Sequence, residues 1–185
     1  MAMTEKMIIS GFGGQGVMFM GKILAYAGML ADKEVSWIPS YGPEMRGGTA
    51  NCSVIVSKEE INCPVVNKPS LVVAMNGPSQ EKFLPALMPG GLLVVNSSIV
   101  KEDVTRDDVR VLKIPAQELA AEKVGKANLA NVVVLGAMLA KMDVLTLDDV
   151  VAALKEVVAA KRPEMLAINQ QALEVGMNYV KENQL

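Results

Sequence analysis

Residues 7–16 constrain the fold of this chain more strongly than any other stretch. Residues 7–9 are the apolar run Met-Ile-Ile, residues 11–16 read Gly-Phe-Gly-Gly-Gln-Gly, and a long apolar helical pattern follows to residue 31. A strand that ends in a glycine-rich turn and leads directly into a helix is typical of the first βα unit of a doubly wound α/β domain. We therefore predict a strand over residues 5–10 and a helix over residues 14–31.

The glycine-rich turn has two interpretations, and the sequence leaves both open. Glycine at positions 11 and 13 permits a tight turn and a close approach of backbone N–H groups to an anion, and glycine at 16 permits close helix–strand packing. In the first interpretation Gly11, Gly13, Gly14, Gln15 and Gly16 face a phosphate group at the positive end of the helix dipole. In the second, these residues form a tight turn that binds nothing, and Gln15 is an ordinary residue of the first helical turn.

Two nucleotide-binding motifs are incomplete in this chain. The dinucleotide fingerprint needs an acidic residue at the end of the second strand, but the second predicted strand, residues 34–38, runs into Pro39. Residues 16–23 approach a Walker A sequence, but Ile23 stands where that motif needs a hydroxyl group. A free-standing NAD(P)-binding enzyme is therefore an alternative that the sequence disfavours.

The composition excludes several classes of function. The 185 residues carry a net charge of −2 and only 4% aromatic residues, so we expect no nucleic-acid partner. The absence of histidine removes Ser-His-Asp and Cys-His arrangements, and two cysteines are too few to ligate an iron–sulfur cluster. No apolar run reaches membrane-spanning length, so we expect no membrane partner and a cytoplasmic protein with reduced thiols. The length fits a single domain over residues 1–185.

The rest of the chain alternates strand and helix patterns before it becomes helical. Residues 49–56 and 61–66 are β-rich and flank a turn at residues 58–60, which predicts an inserted β-hairpin. Further strands are predicted at residues 71–75, 92–96 and 109–114, and helices at residues 78–88, 116–122, 129–141, 146–160 and 163–183. We therefore predict an α/β fold, with a Rossmann-like open, mostly parallel sheet flanked by helices, an inserted β-hairpin and a helical C-terminal third.

Residues 39–48 form a second loop of interest, because two prolines and three glycines exclude both helix and strand there. The loop follows the second predicted strand, and loops after strand C-termini line the ligand crevice of an open α/β sheet. We therefore expect this loop and the glycine-rich turn to face the same crevice. Arg46 is its strongest candidate, because a guanidinium holds a carboxylate or phosphate through two hydrogen bonds. An internal ion pair with Glu44 is the alternative.

The two loops together resemble a known family. Gly-Phe-Gly-Gly-Gln-Gly at residues 11–16 and Ser-Tyr-Gly-Pro-Glu-Met-Arg-Gly-Gly at residues 40–48 resemble the gamma subunit of 2-oxoacid:ferredoxin oxidoreductases. That family includes pyruvate, 2-oxoglutarate, branched-chain 2-oxoacid and indolepyruvate enzymes. The likeness extends to Asn-Gly-Pro-Ser at residues 76–79 and Leu-Gly-Ala at residues 135–137. Ser70 departs from the family, in which an aspartate is often expected at this position.

The resemblance implies one subunit of a complex that oxidatively decarboxylates a 2-oxoacid, releases an acyl-CoA and passes electrons to ferredoxin. It implies that partner alpha and beta subunits hold thiamine diphosphate, Mg²⁺ and iron–sulfur clusters, and that CoA is a co-substrate. Whether the complex also contains a delta subunit stays open. This chain alone is expected to bind no cofactor and to be inactive. Its domain would form a wall of the active site and contribute to CoA access. The identity of the 2-oxoacid stays open, as does a purely structural role in assembly.

On this resemblance the candidate cofactor-binding residues are those of the two loops. They are Gly11, Gly13, Gly14, Gln15, Gly16, Tyr41, Glu44, Arg46 and Gly47. Tyr41 would donate a hydrogen bond to a carbonyl, Glu44 would accept one from the thiamine ring of a partner, and Gly47 would ease the exit of the loop. We name no catalytic residue and no metal ligand in this chain.

Overall fold

The structure is a computed structural model that describes residues 4–40, 49–159 and 162–185, and a six-stranded sheet lies at its centre. The strands are β1 (Thr4–Gly11), β2 (Glu34–Ser40), β3 (Ala50–Ser57), β4 (Leu71–Ala74), β5 (Leu92–Asn96) and β6 (Arg110–Ile114). Their order across the sheet is β2-β3-β1-β4-β5-β6. The pairs β1–β4, β4–β5 and β5–β6 are parallel, which confirms the mostly parallel open sheet.

Six α-helices accompany this sheet in the described ranges. They are α1 (Val17–Leu30), α2 (Gly77–Phe83), α3 (Ala116–Leu119), α4 (Ala130–Leu139), α5 (Leu147–Leu154) and α6 (Leu166–Glu182). Short 3-10 turns lie at Leu84–Ala86, Ala127–Leu129 and Pro163–Met165, and π-helical segments extend α3 over Ala120–Val124 and α5 over Lys155–Ala159. The C-terminal third is helical, as predicted. No helix in the described part of the chain is both long and apolar enough to cross a bilayer.

The predicted hairpin is wrong in its second strand. Residues 49–56 do contain β3, but residues 61–66 form no strand. Both edges of β3 are already occupied, because it pairs antiparallel with β1 on one side and with β2 on the other. Pro64 also lacks the N–H group that a strand of 61–66 would have to donate. The antiparallel pair formed by consecutive strands is therefore β2–β3, and β2 continues through Pro39 to Ser40.

The pairing brings the ends of β1 and β2 to one edge of the sheet. Both strands run antiparallel to β3, and Ser10 and Ser40 both pair with Asn51. The glycine-rich turn therefore leaves the sheet at the edge where β2 ends and β3 begins. Whether residues 41–48 face the same crevice as the turn stays a prediction, because they lie outside the described residues.

Two hydrophobic cores cover the two faces of the sheet. The larger core lies between the sheet and helices α1, α3, α4, α5 and α6, and every residue of α4 is buried in it. The smaller core lies on the opposite face under α2 and the turn that follows it, around Val72, Leu84 and Val95. Since α1 and α2 cover opposite faces, the chain changes direction between β1 and β4. This is the switch point at which open α/β sheets form their crevice.

Candidate functional site

The glycine-rich turn lies at the switch point and delays the start of the first helix. Gly14 and Gly16 have φ angles of +91° and +74°, in the left-handed region. The first helical hydrogen bond therefore runs from Met20 N–H to Gly16 O, at 3.0 Å, and the helix starts at Val17 rather than at the predicted residue 14. Among the described residues, the backbone N–H groups of Gly13 and Gly14 make no hydrogen bond, and both residues are exposed.

Gln15 fixes this turn to the neighbouring strand end. Its Oε1 accepts hydrogen bonds from the Phe12 N–H at 2.6 Å and from Asn76 Nδ2 at 3.0 Å, while its Nε2 donates to Met75 O at 3.1 Å. Gln15 thus joins the turn after β1 to the turn after β4. Its Oε1 already accepts two hydrogen bonds within the chain, whereas the predicted bond to a carbonyl or phosphate would use the amide N–H. What Gln15 retains toward a ligand is a second amide hydrogen on Nε2.

Asn76 is the partner that sequence reasoning missed as a site residue. It is fully buried, and its Oδ1 accepts a hydrogen bond from the Ser79 N–H at 2.9 Å, which caps α2. Its Nδ2 donates to Gln15. One asparagine therefore links the cap of α2 to the glycine-rich turn. The signal in the sequence was an asparagine directly between a buried strand and Gly77-Pro78, where an N-cap residue is favoured.

Gly11 and Gly16 are held in place by close neighbours. A Cβ atom at Gly11 would lie 2.8 Å from Gln15 Oε1 and 2.9 Å from Met75 Cβ. A Cβ atom at Gly16 would overlap the carboxamide of Asn131, in the first turn of α4, with its Cγ at 2.7 Å. The Asn131 Nδ2 also donates to Gly16 O, at 3.5 Å. These contacts require glycine at both positions whether or not a ligand binds.

The structure therefore brings together one half of the predicted site. Gly11, Gly13, Gly14, Gln15 and Gly16 lie together at the switch point, and Gly13 and Gly14 are the exposed residues among these five. Tyr41, Glu44, Arg46 and Gly47 lie outside the described residues. Of the strand ends that flank them, Ala50 pairs with Gly11 of β1, and Ser40 lies one strand further away, where it pairs with Asn51 of β3. Among the described residues, no three His, Cys, Asp or Glu side chains are grouped as metal ligands would be.

Comparison with known proteins gives consistent matches along the chain. Residues 6–179 match the family model described as pyruvate ferredoxin/flavodoxin oxidoreductase. The chain is 38% identical over 178 residues to the ketoisovalerate oxidoreductase subunit VorA of Methanothermobacter thermautotrophicus, which covers 95% of this chain and 36% of that protein. It is 34% identical to the 2-oxoglutarate synthase subunit KorC of Methanothermobacter marburgensis, over 98% of this chain and 100% of that protein.

The fold has a close counterpart among solved structures. The keto/oxoacid ferredoxin oxidoreductase gamma subunit of Geobacter sulfurreducens superposes with a TM-score of 0.83 at 27% identity, over 96% of this chain and 99% of that chain. The VorA relative is much longer, and this chain spans about a third of its length, 36%. The KorC relative and the Geobacter chain have the same extent as this chain.

Proposed function

Because the chain belongs to the pyruvate ferredoxin/flavodoxin oxidoreductase family, we propose that it is the gamma-type subunit of a 2-oxoacid:ferredoxin oxidoreductase. The observation that carries this proposal is the end-to-end match to subunit-length relatives, of which this chain covers 100% and 99%. The complex would convert a 2-oxoacid and CoA to an acyl-CoA and carbon dioxide, with electrons passed to ferredoxin. The names of the relatives support a complex as well, since VorA and KorC are each called a subunit.

We propose that partner alpha and beta subunits hold the cofactors. The presence of a delta subunit stays open. Magnesium bound to a diphosphate takes carboxylate oxygens as protein ligands, and the described residues offer no cluster of them. An iron–sulfur cluster takes cysteine thiolates, and the two cysteines of this chain, Cys52 and Cys63, are respectively buried and exposed. Thiamine diphosphate, when bound by the partners, would supply the group that accepts the 2-oxoacid carbonyl. The described residues fit none of these groups, and we assign them no step in that chemistry.

This chain would instead form one wall of the CoA-binding site. The N–H groups of Gly13 and Gly14, which make no hydrogen bond among the described residues, lie in the turn just before α1 and suit an anionic phosphate, because the nearby helix N-terminus carries partial positive charge. The Gln15 and Asn76 hydrogen bonds keep these donors in a fixed geometry, so little ordering is needed when a ligand binds. Arg46, in the loop between β2 and β3, would add a bidentate contact to a phosphate or carboxylate.

The first test is an anaerobic pull-down of the tagged chain from its native cell extract. The captured material is assayed for reduction of a viologen dye that depends on CoA and on each of several 2-oxoacids. Capture of thiamine- and cluster-binding chains together with activity supports the subunit and identifies the substrate. A chain that is captured alone and shifts on titration with NADH would overturn the proposal in favour of an NAD(P)-binding protein.

The second test separates a wall of the site from a purely structural subunit. Arg46→Ala is introduced into the complex and compared with Arg110→Ala, a control on the edge strand β6 at the opposite end of the sheet. Loss of a charge-assisted contact predicts a KM for CoA raised about ten- to a hundredfold in Arg46→Ala only. A complex that assembles with unchanged kinetic constants would leave only the assembly role.

A further inference from the structure

A cleft of about 480 Å³ opens on the helical side of the molecule. It lies between α1, the start of α4, and the connection from α5 to α6, and Phe19, Lys22, Asn131, Arg162, Met165 and Asn169 are among its lining residues. Its volume falls within the range of roughly 300–1,000 Å³ that is usual for ligand pockets. Asn131 lines this cleft and also donates from its Nδ2 to Gly16 O at 3.5 Å, while Gly13 and Gly14 are not among the lining residues.

The charge in this cleft has one sign. Among the described residues that line it, the charged side chains are Lys22 and Arg162. Among the described residues the one salt bridge joins Arg106 to Asp108. Neither Lys22 nor Arg162 is therefore paired with a described carboxylate. Lys126 adds a third positive charge at the rim, where its Nζ lies 3.9 Å from Met165 Sδ. Unneutralised cations around a concave, half-enclosed site favour an anionic ligand.

Two buried carboxamides line the same cleft with free acceptor oxygens. Asn131 is 8% exposed and Asn169 is 4% exposed. Each uses its Nδ2 within the chain, Asn131 toward Gly16 O at 3.5 Å and Asn169 toward Met165 O at 2.7 Å. No hydrogen bond of the described residues reaches either Oδ1. Neither Oδ1 is among the buried unpaired polar atoms of the described residues, so both oxygens stay open to the cleft as acceptors for a ligand with hydroxyl or amide N–H donors.

Apolar side chains complete the lining. Phe19 from α1 and Met165 before α6 are partly exposed, and Val157 and Val158 lie in the π-helical segment after α5. An aromatic ring and a flexible thioether adapt to an apolar or flat ligand body.

We propose that this cleft is a binding site for a small phosphomonoester or carboxylate whose apolar or flat body carries hydroxyl or amide donors. Lys22 and Arg162 bind the anionic group, the oxygens of Asn131 and Asn169 accept from the donors, and Phe19 contacts the body. The proposal does not depend on the proposed function, because it uses none of the residues assigned there to CoA. Since Asn131 also contacts Gly16, occupancy of the cleft is expected to alter the environment of the glycine-rich turn as well.

The test is an NMR titration of the ¹⁵N-labelled full chain with three probes. Adenosine 5′-monophosphate represents the phosphomonoester, pantothenate represents the carboxylate, and adenosine lacks the anion. Saturable amide shifts at Phe19, Lys22, Asn131 and Met165 with either anion, and binding of adenosine about tenfold weaker than its phosphate, are expected. Which of the two anions binds more tightly identifies the class of ligand.

Charge variants supply the control. Lys22→Gln and Arg162→Gln are each expected to weaken the binding of the anion about tenfold, because each removes one charge-assisted hydrogen bond. Lys58→Gln removes an exposed cation at the opposite edge of the sheet and is expected to leave the affinity unchanged. Equal affinity in all four proteins, shifts confined to Gly13 and Gly14, or no saturation at about 10 mM of either anion would each overturn the proposal.

Discussion

Replacing Gly16 with alanine is expected to destabilise the fold through two separable effects. The first is backbone strain, because a φ angle of +74° costs a residue with a Cβ atom roughly 1–2 kcal/mol. The second is steric overlap, because the new Cβ would lie 2.7 Å from Asn131 Cγ and 3.2 Å from Asn131 Cβ. Overpacking of this kind destabilises the fold by about 1–3 kcal/mol. Alanine also lowers the conformational entropy of the unfolded chain, which offsets ~0.4–1 kcal/mol of the loss. The net loss is therefore about 1–5 kcal/mol.

Gly90 offers a matched control within the same chain. Its φ angle is also +74°, but no atom lies within 4 Å of a Cβ built there. Gly90→Ala is therefore expected to carry the strain alone, with a net cost of about 1 kcal/mol or less. The difference between the two variants measures the steric contribution of Asn131.

Urea unfolding measures these free energies, followed by circular dichroism and by the fluorescence of Trp37, the one tryptophan in the sequence. The double variant Gly16→Ala/Asn131→Ala should recover the steric part, with a coupling energy of about 1–2 kcal/mol. Equal losses in Gly16→Ala and Gly90→Ala, or a double variant whose losses simply add, would refute the reasoning.

The remaining predictions concern packing, thiol reactivity and pH. Gly176→Ala should lower the free energy of unfolding in urea by about 3–5 kcal/mol. The new Cβ would lie 2.8 Å from the carbonyl carbon of Val133 in α4, and backbone atoms cannot move aside. A loss below about 1 kcal/mol would contradict this close helix contact. Iodoacetamide should label the exposed Cys63 and not Cys52, because burial raises the pKa of the Cys52 thiol to about 11. Mass spectrometry should find Cys52 labelled only after denaturation. Equal labelling of both cysteines in the native protein would contradict the burial of Cys52. Burial also raises the pKa of Glu5, so the folded state binds its proton more tightly than the unfolded state. The contribution of Glu5 to stability therefore falls as pH rises from the ordinary glutamate pKa through the raised one. Above that pH window Glu5→Gln should be more stable than the native chain, and its free energy of unfolding should change less with pH across the window. Parallel plots of unfolding free energy against pH for the two proteins would rule out this assignment.

Ser70 stands where the resemblance predicts an aspartate, and the structure shows what this serine contacts. Its Oγ donates to Glu5 Oε1 at 2.5 Å and accepts from the Lys6 N–H at 2.9 Å, so it joins the starts of β1 and β4. An aspartate at this position could still accept from Lys6, but it would place a second carboxylate against the partly buried Glu5. The serine is therefore matched to its neighbour in this chain.

Local signals in the sequence determined the start of the fold and the position of the glycine-rich turn. Alternation of apolar residues and turn chemistry act over a few residues, so β1, α1 and the buried strands β4 and β5 are found close to their predicted bounds. The capping box at the start of α5, with Thr146 and Asp149, is equally local and is present. The predicted loop at residues 39–48 carries four candidate residues that lie outside the described part of the chain, and their roles stay predictions.

Tertiary structure alone decided which segments meet. The hairpin assigned to residues 61–66 was wrong because strand pairing depends on which edges are free, and β1 and β2 occupy both edges of β3. The bonds that shape the site join residues far apart in sequence: Gln15 and Asn76 are 61 positions apart, and Asn131 and Gly16 are 115 apart. No local pattern specifies such contacts, because they arise only when the sheet brings two strand ends together and α4 packs against the start of α1.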